Sequence, residues 1–154
     1  MKYFVFGLTA IFLALCSKEV QFGQKPLDYL IFGHFYGHCI GKECVEIFKL
    51  TSDGLYENTT DSYLASEFDF SAMEQDKFDM ARELKSAIPV PLFQSTDTTF
   101  GCPDCADQGG LYIEISSKGQ RRSWRIDQDK RMVPGYLHSF MDKVNQTIES
   151  IQHL

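Results

Sequence analysis

The chain has 154 residues, 44% hydrophobic and 14% aromatic, with a formal net charge of −6. That composition excludes a disordered polymer, and the length suits one domain with a substantial core. The acidic balance opposes non-specific attraction to nucleic acid or anionic lipid.

Residues 1–16, MKYFVFGLTAIFLALC, carry Lys2 as their only charge. The apolar run behind it is too short to cross a hydrocarbon core of ~30 Å as a helix. A basic start and a short apolar core predict an export signal, outside the fold. Leu13-Ala14-Leu15-Cys16 resembles the lipobox of bacterial lipoproteins, with Leu15 standing where that family normally has a small residue. The resemblance implies acylation of Cys16, a lipid anchor in the membrane and a place in the bacterial cell envelope, periplasmic or surface. An ordinary secretory peptide cut near Cys16 or Ser17, or an uncleaved anchor, are the alternatives. All lead out of the cytoplasm. Residues 17–26 (SKEVQFGQKP) are polar apart from Val20 and Phe22 and read as a tether, with a single folded domain over 27–154.

Within that domain, 27–36 (LDYLIFGHFY) is rich in aromatic and branched residues and predicts a strand. Gly37 and Gly41 mark a tight loop, 44–51 a second strand, and Ser52-Asp53-Gly54 a turn into a third, antiparallel strand at 55–57. The stretch 58–69 reads only as a loop with possible strand. Ser71-Ala72-Met73-Glu74 has capping-box spacing, predicting a helix that buries Phe78, Ala81, Leu84 and Ile88 and stops at Pro89. Residues 110–116 and 122–127 predict a hairpin turning at Lys118-Gly119. There Leu111, Ile113 and Ile115 face the core while Tyr112, Glu114 and Ser116 face solvent. Pro134 suits the first turn of a last helix, striped with Leu137, Phe140, Met141, Val144, Ile148 and Ile151. The order strands, helix, hairpin, helix predicts an α+β domain of two layers, an antiparallel sheet of four to five strands with two helices packed on it.

With Cys16 reserved for lipid, Cys39, Cys44, Cys102 and Cys105 remain, spaced C-x4-C and C-x2-C. In an oxidising compartment such a set predicts disulfides, with three possible connectivities and a slight preference for local pairs. Four thiolates could instead hold zinc, with His34 or His38 as further ligands, although a histidine beside aromatics is more often structural. The third reading is a thiol–disulfide oxidoreductase working through Cys-Pro-Asp-Cys. Against it, the motif runs into ADQGG and a strand, so no helix N-terminus is available to stabilise an attacking thiolate.

Arg121, Arg122, Trp124 and Arg125 form a basic, aromatic cluster that could meet an acidic or stacking partner; the alternative is a solvated strand face around a packed tryptophan. Asp104 and Asp107 lack the ligand order of a calcium loop and read as an acceptor-rich turn. Asn58 and Asn145 each open a glycosylation sequon. Nucleophile-elbow, zinc-protease and phosphate-loop motifs are missing. The segments GHFYGHCIGKECVEIFKLTSDGLYE and GCPDCADQGGLYIEI are similar in layout to small exported bacterial proteins of uncharacterised families. That resemblance implies no activity. The expectation is a non-enzymatic, disulfide-stabilised envelope domain that binds a protein or small ligand and no nucleic acid, with metal binding and thiol exchange as alternatives. No cofactor is expected unless the cysteines hold zinc.

Overall fold

Alternating apolar residues set the two long hairpins from which the sheet is built. The computed structural model describes residues 26–36, 44–60 and 65–153. Strand β1 (Tyr29–Phe35) pairs antiparallel with β2 (Val45–Leu50) on one side and β6 (Gly110–Ser117) on the other. β3 (Leu55–Asn58) follows β2 through the 52–54 turn, β7 (Gln120–Asp127) follows β6, and both run antiparallel to their partners. Short strands β4 (Phe70–Ala72) and β5 (Thr99–Phe100) close the edges, giving the order β4-β3-β2-β1-β6-β7-β5. The described sheet thus has seven strands rather than four or five. It is not wholly antiparallel, because β5 runs parallel to β7.

The β6–β7 hairpin turns on Lys118 and Gly119, both at positive φ (53° and 75°). This is the two-residue geometry whose twist matches that of paired strands. Gly33 answers a different need. A Cβ there would lie 1.8 Å from the Glu46 carbonyl oxygen, so β1 can approach β2 at this point only with a bare backbone.

Helices cover one face. Helix α4 (His138–Gln152) buries Phe140, Met141, Val144, Ile148 and Ile151, as its apolar stripe predicts. Below it lie Leu30, Phe32, Phe48, Leu50, Ile113, Ile115 and Trp124. The first helical stretch departs from expectation. Ser71 sits in β4 opposite Glu57, and α1 (Gln75–Ala81) starts from Glu74 with no side-chain cap. The capping box loses because Asn58 holds this segment to the sheet: its Oδ1 accepts from the Asp69 N–H at 3.0 Å, and the Thr59 N–H donates to the Asp69 carbonyl at 2.7 Å. The helix then breaks into α2 (Leu84–Ala87) and α3 (Val90–Gln94). Ile88 between them is extended (ψ 122°), as the residue before Pro89 must be. Ala81, Leu84 and Ile88 are nevertheless buried as the spacing predicts.

The opposite face carries its own apolar cluster of Ile31, Phe35, Cys44, Val45, Ile47 and Tyr112, with Phe68 and Phe70 packed against it. Every residue of β6 is consequently buried, including Tyr112, Glu114 and Ser116, which the alternation assigns to solvent. Alternation reports which residues share a face. It does not report what later covers that face.

Candidate functional site

The proline-broken helical run leaves a groove of about 580 Å³ against the start of β1 and the β2–β3 turn. Leu27, Phe78, Ile88, Val90 and Phe93 supply its apolar lining, and Thr51, Ser52 and Ser86 supply hydroxyls. Two cations, Arg82 and Lys85, stand in the same wall. Its size is within the range of small-molecule sites, and its lining is mixed, apolar side chains alternating with five polar or charged ones. Val90 is 66% exposed, the larger of two such values among the big hydrophobic side chains described.

Lys85 is half-buried, and burial pulls its ammonium below the usual lysine value while Asp28 and Asp53 pull the other way. Both carboxylates are themselves held below their ordinary range. Asp28 accepts from the Gly119 N–H and the Ser116 hydroxyl, and Asp53 accepts from the Thr51 hydroxyl at 2.7 Å. Arg82 has a single exposed acidic neighbour within its helix, Asp79 at 3.6 Å. The groove therefore joins apolar surface to two cations that already face carboxylates, Lys85 with Asp28 and Asp53 and Arg82 with Asp79. Sequence periodicity assigns Phe78 and Ile88 to the core and gives no sign of this groove, which arises from the relative placement of three short helices.

The cysteines lie elsewhere. Cys102 and Cys105 are joined in a disulfide with Cα atoms 5.5 Å apart, a local pair as preferred from the spacing. Cys44 is also disulfide-bonded. Cys16, Cys39 and His38 lie outside the described residues, as do the leader and nearly all of the tether. Around Cys102 the chain forms a hydrogen-bonded turn rather than a helix start. The Gly109 N–H donates to Asp104 Oδ1 at 3.1 Å, so Asp104 serves the turn itself, as an acceptor-rich loop requires. Among the described residues, no three His, Cys, Asp or Glu side chains gather as a metal site. His34 has protein oxygens at both ring nitrogens: Glu46 Oε2 at 3.2 Å from Nδ1 and Asn145 Oδ1 at 2.8 Å from Nε2. It bridges β1, β2 and α4.

The basic cluster is divided by the alternation of β7. Arg122 and Trp124 point to the helical face, where the guanidinium lies 5.3 Å from the indole centroid and donates to the carbonyls of Phe93 and Ser95. Arg121 and Arg125 point to the other face, the first 3.9 Å from Glu114 and the second over the Phe35 ring. Glu114, only 5% exposed, accepts from the hydroxyls of Tyr29 (2.8 Å) and Tyr112 (2.7 Å). Burial first, and then this carboxylate, pushes both phenols above their ordinary range.

No family model and no curated protein matches this chain. Among the described residues, no helix is long and apolar enough to cross a membrane.

Proposed function

We propose that this chain is an exported, non-enzymatic binding domain, held at a membrane by acylated Cys16, whose groove takes a small amphiphile with an anionic head. The observation that carries the ligand class is the meeting of Phe78, Ile88, Val90 and Phe93 with Arg82 and Lys85 in one 580 Å³ trough. An alkyl chain would bury the apolar lining, worth about 25 cal/mol per Å² removed from water. A carboxylate or phosphate would share the half-buried Lys85 ammonium with Asp28 and Asp53 and meet the exposed Arg82 guanidinium. The leader-like start and the disulfides support export. The groove opens beside Pro26 and Leu27, at the tether's end of the domain, so an anchored protein would hold it near its membrane.

Calorimetric titration with dodecanoate tests the reading. Dodecanoate should bind, dodecyltrimethylammonium should not, and Lys85→Met should weaken dodecanoate about tenfold or more, the loss of one charge-assisted contact. Equal binding of the two surfactants would refute an anion-selective groove. Export and anchoring are tested separately: Cys16→Ser should move the protein from the membrane to the soluble fraction of its native host, and an unchanged distribution would contradict the anchor.

A further inference from the structure

We propose that the Cys102–Cys105 disulfide is a thiol-exchange site, a two-electron acceptor for thiols on other molecules, rather than a brace of the fold. Both cysteines are exposed. The bond spans a sequence separation of only three, so it constrains the unfolded chain less than a long-range bond would. The loop's shape is fixed by other means. The Cys102 N–H donates to Asp127 Oδ2 at 2.8 Å, and Asp127 is a buried residue at the end of β7. The Cys102 carbonyl accepts from the Cys105 N–H at 3.2 Å and from Gln108 Nε2 at 2.9 Å. The Asp104 N–H donates to the Gly109 carbonyl at 3.0 Å, and the Ala106 N–H to Gln108 Oε1 at 2.7 Å. None of these contacts uses sulfur. These hydrogen bonds should hold the loop in the same shape when the pair is reduced, and an exposed disulfide of this kind is of the labile class.

The reaction balances as exchange. An external thiolate attacks Sγ of one cysteine and the Sγ–Sγ bond breaks. A mixed disulfide forms, and the other cysteine leaves as a thiolate that takes up a proton. A second external thiol attacks the incoming molecule's sulfur in that mixed disulfide and releases the first cysteine as a thiol. Two external thiols become one disulfide, and two electrons and two protons pass to the cysteine pair. The pair accepts electrons, so it needs no helix N-terminus to activate a nucleophile.

The test uses the intact folded protein with glutathione and, separately, a synthetic dithiol peptide, followed by alkylation and peptide mass analysis. Residues 102 and 105 should be reduced in buffer without denaturant, at a rate within tenfold of a small exposed disulfide, while the near-ultraviolet circular dichroism is kept and the cooperative melting transition persists, lowered by no more than about 8 °C. Faster reduction by the peptide assigns protein thiols as the partner, and faster reduction by glutathione assigns small thiols. Cys105→Ser should trap Cys102 as one mixed disulfide with oxidised glutathione. Reduction that requires unfolding denaturant, or a reduced form that loses its melting transition, would overturn the proposal; it uses wild-type protein and so does not depend on a variant folding. The groove shares no residue with this loop, so either reading can fail alone.

Discussion

Gly33 is the residue on which the sheet is least forgiving, because the clash of an added Cβ is with backbone that cannot swing aside. Gly33→Ala should cost about 3 kcal/mol or more, lowering the melting temperature by roughly 10 °C. Gly135→Ala, where an added Cβ meets nothing within 4 Å, should leave it nearly unchanged. Differential scanning calorimetry of the pair checks this. Trp124 was legible as a packed tryptophan in a strand, and at 1% exposure it fills the core beneath the helices. The arginines around it could be read for charge but not for destination. Period-two alternation sends Arg122 to one face and Arg121 and Arg125 to the other, so they form no single patch.

At the scale of elements, long periodic segments were readable and short ones were not. The β6–β7 hairpin and α4 announce themselves through repeated spacing. The hairpin strands lie within two residues of the sequence reading, whereas α4 begins at His138, because Pro134 opens a separate 3-10 turn (Gly135–Leu137) instead of the helix's first turn. β4 and β5 span three and two residues, and so short a strand exists only because a neighbour offers it a free edge. Ser71 illustrates the competition. Since it pairs in β4 and caps nothing, Ser71→Ala should change stability by less than about 0.5 kcal/mol, where loss of a true N-cap costs about 1. A cost near the capping value in denaturant unfolding would restore the capping box. In the opposite direction, Lys118→Asn should stabilise by about 0.5 kcal/mol, because Lys118 sits at φ 53° in a turn that favours Asn there.

For the whole molecule, acid stability follows from carboxylates held below their ordinary values. Hydrogen bonds from Arg131 hold Asp129 at about 2, and Asp28 and Asp53 are lowered as well. Depressed carboxylates stabilise the fold above their unfolded value near 3.8, and that contribution is lost as pH falls through the folded values. Unfolding midpoints should therefore hold steady from neutrality to about pH 4 and fall toward pH 2, with Asp129→Asn showing a shallower acid limb. Lys85 has the opposite sign: burial lowers its value, so it costs stability while charged, and stability rises as pH climbs through its folded value. Lys85→Met should then raise the melting temperature while weakening anion binding, the pattern of a residue kept for binding at the expense of stability. The groove itself was not legible in the sequence. Its walls come from three helices, a strand entry and a turn, and no spacing along the chain encodes their meeting.

A methyl-labelled nuclear magnetic resonance titration with dodecanoate addresses the groove most directly. Saturable shifts are expected at the methyl groups of Leu27, Ile88 and Val90, with Ile31 and Ile47 on the opposite face unmoved. Shifts centred on Ile31 and Ile47, or none anywhere up to the solubility limit of the ligand, would contradict it.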